Sequence, residues 1–259
     1  MAGDVLLDRE DLVATVTLHN PDKRNALSGH MWRHLGVIFS ELAADETLRC
    51  IVLRGAGDIA FASGADISTF EKDRHDVASA RAFGQMAHET MQAISECPHP
   101  IVASIKGVCV GGGLEIAALC DMRICGQSAR FGIPAKQLGL TIGLTELPGL
   151  LAIAGPSVTL EILLEGRVFG ADEALQKRLV NRVVPDNAVD NEVLETTRRI
   201  SDGAPLVARW HKKFVKSLRT SPNLNPDAID ESYACFGTED FQIGFRAFLA
   251  KTKPKFVGR

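Results

Sequence analysis

The stretch IVASIKGVCVGGGLEIAALCDMRI (Ile101 to Ile124) decides the fold class. Ile101 to Ile105 is an apolar, partly β-branched run of strand length, and Met122 to Cys125 is a second short one. Between them GVCVGGG reads as a tight turn, and Leu114 to Cys120 as the start of a helix that is apolar nearly all round. Strands that alternate with a buried helix predict an α/β core.

The same alternation continues toward the N-terminus. Val13 to Leu18 (VATVTL) reads as a strand, Asn20-Pro21-Asp22 as a turn, and Ala26 onward as a helix. Between Ser28 and Ala44 the apolar residues Met31, Leu35, Ile38, Phe39 and Leu42 recur at the three-and-four spacing of an amphipathic helix. Cys50 to Leu53 is another strand, RGAGDIAFASGADIS a glycine-rich loop, and Ala78 to Cys97 a helix that Pro98 and Pro100 stop. Helical patterns over Pro205 to Leu218 and Asp227 to Lys251 predict a helical C-terminal part. The expected division is therefore an α/β core over residues 1–200 and a helical region over residues 201–259.

A chain of 259 residues, 46% of them hydrophobic, can bury a full core. Its net charge of -3 comes with no polybasic run, so charge gives no argument for nucleic acid or a membrane surface. No uninterrupted apolar stretch approaches the roughly 18 residues of a membrane span, and MAGDVLLDRED does not read as a secretory signal. The six cysteines form no CxxC pair and sit mostly in apolar runs, which predicts reduced core residues in a cytoplasmic setting. His30 and His34 have helical i,i+4 spacing but no evident third ligand, so no metal site is expected.

Two glycine-rich turns hold the candidate chemistry, Ser63-Gly64-Ala65-Asp66 and Gly111-Gly112-Gly113-Leu114-Glu115. Each follows a strand, and the second opens a helix whose positive end favours an anion. The alternative for GGG is a turn that only lets strand and helix pack closely. Glu115 is either a helix-start acid or an acid/base group, and its apolar neighbours favour the second. Asp66 fits a cap for ISTFEKD.

HNPDKRNALS (His19 to Ser28), FASGADIS (Phe61 to Ser68), the Ile101 to Ile124 stretch, FGIPAKQLGL (Phe131 to Leu140) and RLVNRVVP (Arg178 to Pro185) together resemble the crotonase (enoyl-CoA hydratase/isomerase) superfamily, in order and over nearly the whole chain. The resemblance implies a spiral of ββα turns with a C-terminal helical domain that assembles trimers or hexamers. It implies an acyl-CoA substrate, with coenzyme A as part of that substrate and no permanently bound cofactor or metal. The oxyanion-hole amides would be those of Ala65 and Gly112, with Glu115 as acid/base residue. Lys23, Arg24, Asp66 and Ile67 would lie near coenzyme A, and Lys251 would reach its phosphates, from a neighbouring subunit if need be. Hydratases of this superfamily carry a second glutamate at the position of Ala135, so half of the acid/base pair is missing, and Glu146 is the nearest acid to replace it.

Overall fold

The computed structural model describes residues 3–220 and 226–259; the few remaining positions of the two expected regions lie outside them. The strands are β1 (Asp4–Glu10), β2 (Val13–His19), β3 (Cys50–Gly55), β4 (Ala60–Ala62), β5 (Ile101–Ile105), β6 (Val108–Val110), β7 (Met122–Gly126), β8 (Arg130–Gly132), β9 (Phe169–Gly170) and β10 (Arg182–Val184). The helices are α1 (Gly29–Ala43), α2 (Phe70–Asp73), α3 (Val77–Glu96), α4 (Gly112–Leu119), α5 (Leu147–Glu165), α6 (Ala171–Gln176), α7 (Val189–Ser201), α8 (Pro205–Thr220), α9 (Pro226–Glu231) and α10 (Glu239–Ala250).

Two sheets organise these elements. The larger runs β1-β2-β3-β5-β7-β10 and is parallel except for the β1/β2 hairpin, whereas the smaller runs β4-β6-β8-β9 with only the last pair antiparallel. Each turn of the spiral places one strand in the large sheet, the next in the small sheet, and then a helix: β3, β4, α3; β5, β6, α4; β7, β8, α5. This is the crotonase spiral. Since β4 and β6 are parallel neighbours, the glycine turns that leave them emerge at one sheet edge.

Local chemistry accounts for the elements. β5 is buried at every residue, as a central parallel strand covered on both faces must be. Ser28 caps α1 by accepting from the Met31 amide, and the predicted stripe of Met31, Leu35, Ile38, Phe39 and Leu42 is buried. Asp76 and Ser79 form a capping box at the start of α3. Arg123, buried under α4, donates to the carbonyls of Ala117, Cys120 and Leu179 and so ties off the end of that helix.

Two expectations need correction, and two further features go unannounced in the sequence. Val108–Val110, within what reads as a tight turn, is a strand of the small sheet, because β4 and β8 supply partners that a local reading does not see. The C-terminal helical pattern is broken, with a 3-10 turn at Ala234–Gly237 and a new cap at Thr238 before α10. α5 is long and apolar enough to cross a membrane by length and composition, with a mean hydropathy of 1.7, but Gly155 at φ 73° and ψ 171° interrupts it ahead of Pro156. Neither half then reaches the roughly 20 residues of a span. Finally, β1 brings Asp4 Oδ1 to 2.6 Å from His34 Nδ1 and 3.1 Å from His30 Nε2, a third group near the histidine pair that the sequence does not announce.

All six cysteines are free, and five are buried. Helix α7 closes the outer face of the large sheet with Val189 and Val193 against Cys50, Val52, Val102 and Ile124. Beyond it, α8 returns to the core: Lys212 pairs with Asp121 at 2.8 Å and Arg209 donates to the Glu46 carbonyl at 2.7 Å. Asp121 also accepts from the Ile101 amide at 2.8 Å. Phe236, Phe245 and Phe248, at 58, 53 and 82% exposure, stand out from α10 and the 3-10 turn before it.

Candidate active site

The loop after β2 builds one side of the site. Asn25, buried and held at φ 56°, donates to the Ala60 carbonyl at 2.7 Å and the Ala56 carbonyl at 3.0 Å, and it accepts from the Asn20 amide. That network fixes Leu27. The Leu27 amide donates to the Gly64 carbonyl at 2.8 Å and its carbonyl accepts from the Asp66 amide at 2.9 Å. Ala65 is thus bracketed on both sides, while its own N–H makes no hydrogen bond among the described residues.

The second turn lies against the first. Gly64 and Gly111 have φ of 95° and 52°, values that L side chains rarely adopt, and a Cβ on Gly111 would sit 3.5 Å from the Gly64 Cα. Gly113 packs so closely on β4 that a Cβ there would meet the Ala62 carbonyl oxygen at 2.6 Å. The packing reading of the glycine turn therefore holds for Gly113. Gly112, the first residue of α4, has no hydrogen bond on its amide among the described residues, so this N–H joins that of Ala65 as a free donor at the cavity wall.

Glu115 stands one turn into α4, 6% exposed, with Oε2 within 3.9 Å of where a Gly112 Cβ would be. Burial, with the charge of Glu146 adding and that of Arg74 opposing, pushes its carboxyl up to about 8. At neutral pH it is mostly protonated. A cavity of about 350 Å³ joins Ala65, Gly112 and Glu115 to Trp32, Phe70, Arg74, Phe83, Ala135 and Glu146. Glu146 immediately precedes α5 and lines the cavity, while its Oε2 accepts from the Gly143 amide at 2.7 Å. Ala135, on a 3-10 turn at Pro134–Leu138, is in the cavity wall, where the resemblance put a missing second acid.

The predicted coenzyme A contacts divide. Ile67 lines the cavity and is 48% exposed. Asp66 does not line it: its carboxylate accepts from Lys23 Nζ at 2.7 Å and from the Ser68 amide and hydroxyl at 3.1 and 2.7 Å. Burial alone would raise the Asp66 carboxyl, but these partners hold it below the usual range, as a buried cap that fixes Lys23 beside the Ala65 turn. Arg24 is exposed and held at φ 51°, and Lys251 is exposed at the end of α10; neither lines the cavity. Trp32, Phe70 and Arg74 carry no site signal in the sequence, and Phe83 reads there only as an apolar residue of the Ala78 to Cys97 helix. Trp32 reads as a core residue of α1, and Arg74 lies in the polar run EKDRHD.

Two unpaired amides and a buried carboxyl thus share one cavity of the crotonase spiral, an arrangement able to receive a developing anion. The model of the enoyl-CoA hydratase/isomerase family matches residues 8–259, and the chain belongs to that family. It is similar to the short-chain-enoyl-CoA hydratase of Clostridium acetobutylicum, 31% identical over 256 residues, 97% of this chain and 96% of that one. Among solved structures, an enoyl-CoA hydratase/carnithine racemase from Magnetospirillum magneticum superposes with a TM-score of 0.97 at 44% identity, covering 98% of this chain and 96% of the other. An enoyl-CoA hydratase from Bacillus anthracis gives a TM-score of 0.92 at 26% identity over 99% of this chain and all of that one.

Proposed function

We propose that the chain is a hydratase- or isomerase-type enzyme that holds an acyl-CoA thioester with its carbonyl oxygen between the amides of Ala65 and Gly112. The observation that carries this is the pair of free N–H groups that share a cavity with buried Glu115. Negative charge that develops on the thioester oxygen meets two preorganised donors and the positive end of α4. Glu115 then exchanges a proton with the carbon next to the carbonyl. Hydration needs a second group to handle the proton of the attacking water. With Ala135 unable to serve, Glu146 is the acid we assign to it.

Around this centre, Lys23, Arg24 and Ile67 form the mouth toward coenzyme A, with Asp66 as the anchor of Lys23. Lys251 serves coenzyme A phosphate across a subunit boundary. We take residues 201–259 as the region that assembles trimers or hexamers, since its exposed phenylalanines need a partner. Turnover of a panel of acyl-CoA thioesters, with binding measured in parallel, tests the proposal: turnover of an enoyl-CoA supports it. Binding without turnover supports the second reading, a non-catalytic acyl-CoA binder, which the absence of an acid at Ala135 favours. Turnover that releases carbon dioxide, cleaves a carbon–carbon bond or frees coenzyme A would instead assign a decarboxylase, lyase or thioesterase reaction to the same amides.

A further inference from the structure

Arg74 is the charged group of the cavity that the reaction above does not use. It follows α2, and its amide donates to the Phe70 carbonyl at 2.8 Å, which fixes where its side chain starts. The guanidinium carbon lies 3.6 Å from the centroid of the Phe83 ring and 4.7 Å from that of Phe70. Two aromatic rings therefore hold it by cation–π attraction and packing. Its Nε is buried without a hydrogen-bond partner, and among the described residues no carboxylate oxygen comes within ion-pair distance of it.

Glu146, Glu115 and Asp73 attract this charge, but none of them comes within ion-pair distance of it. Glu115 is mostly neutral at pH 7, and Glu146 has one oxygen engaged by the Gly143 amide. Burial pulls the guanidinium below its ordinary range, with Glu146, Glu115 and Asp73 opposing, as expected of a cation that has lost water and gained no close partner. A plain alkyl chain in the cavity would complete that desolvation and supply nothing in return. A carboxylate would accept two parallel N–H bonds from the guanidinium edge, the geometry this group is built for.

Resting on the acyl-CoA reading above, we infer that the substrate is an acyl-CoA whose acyl group carries a second carboxylate, and that Arg74 recognises it. Arg74 is then a specificity-determining residue, and the two ends of the acyl group are read by different elements. The amides of Ala65 and Gly112 take the thioester, and Arg74, held on Phe70 and Phe83, takes the distal anion.

The test is calorimetric binding of unreactive, length-matched pairs to the full-length protein: pentanoyl-CoA against glutaryl-CoA, and the corresponding pairs one carbon shorter and one or two longer. At the best-fitting length the carboxylated member should bind at least about 10-fold more tightly, and Arg74→Leu should shrink that preference by about 10-fold or more, the value of a hydrogen-bonded charge. Arg74→Lys should keep part of it. Tighter binding of the methyl-terminated member at every length overturns the inference while leaving the acyl-CoA reading intact, and this comparison needs only wild-type protein should Arg74→Leu not fold. Equal weakening of both members by Arg74→Leu also overturns it, and makes Arg74 a positioning residue for Glu115 and Glu146. Failure of both series to bind removes the acyl-CoA reading and the inference with it.

Discussion

Replacing Glu115 by Gln keeps the side-chain shape and removes the proton that the cavity forces the carboxyl to hold. The folded-state pKa is raised, from an ordinary 4.5 to about 8. The folded protein therefore binds more protons than the unfolded chain between those values, and stability falls as pH rises through that window. The penalty is nearly absent below pH 4.5, grows until about pH 8, and is constant above. Three to four pKa units at 1.36 kcal/mol each give about 4 kcal/mol between pH 5 and pH 9. The Gln variant carries no such term. Urea denaturation of both proteins from pH 5 to pH 9, at one protein concentration, should show the variant gaining about 4 kcal/mol on the wild type across that range. Parallel curves, with a difference constant to within about 1 kcal/mol, would refute the reasoning, because the carboxyl would then be hydrated or paired in the folded state.

Three further outcomes follow from the same geometry. Gly112→Pro removes one oxyanion donor at the first helical position, where proline is tolerated, and should lower kcat for an enoyl-CoA by about 100-fold in a folded protein; unchanged kcat in steady-state assays would dismiss the Gly112 amide. Ala135→Glu places a second carboxyl in the cavity wall and should raise crotonyl-CoA hydration, a gain lost again in combination with Glu115→Gln; if the wild type already turns over at about 10 per second or faster, Glu146→Gln should abolish that rate. Replacing Phe245 and Phe248, 53 and 82% exposed, by serine should shift the sedimentation of a trimer or hexamer toward the monomer, and a wild type that sediments as a monomer at micromolar concentration counts against the assembly.

How much of this was legible in sequence depended on how locally each feature is determined. Ile101–Ile105 was read to the residue because a fully buried parallel strand is an unbroken apolar run. α1 is legible through its stripe of buried residues, but its start at Gly29 lies three residues beyond the expected Ala26. The small sheet was missed: strands of two or three residues, such as Val108–Val110 and Phe169–Gly170, carry no periodicity and exist only through their neighbours. β1 was missed too, since DVLLDRE lies at a sheet edge with little burial and no alternation, and with it went Asp4 beside the two histidines.

The site divides along the same line. The two glycine turns are legible because glycines at strand ends are a local signal, whereas Ala65 and Gly112 within them come only from the family resemblance; Glu115 stands out because an acid inside an apolar helix is out of place. That Asn25 locks the loop which brackets Ala65 could not be read, for the hydrogen bonds span more than thirty residues. Arg74 gave no signal either. In a run of charged residues nothing marks the one that turns inward, and only the fold of α2 against α3 lays it across Phe83.

The central claim, that two backbone amides stabilise an enolate next to a thioester, is tested most directly by following hydrogen exchange at C2 of a saturated acyl-CoA in deuterated water. The saturated chain cannot be hydrated, so exchange reports formation of the enolate alone. The account predicts deuterium uptake at C2 well above the rate without protein, reduced by about 100-fold in Gly112→Pro and again in Glu115→Gln. An acyl-CoA that binds in the cavity and keeps its C2 hydrogens, or exchanges them equally in the wild type and both variants, would contradict it.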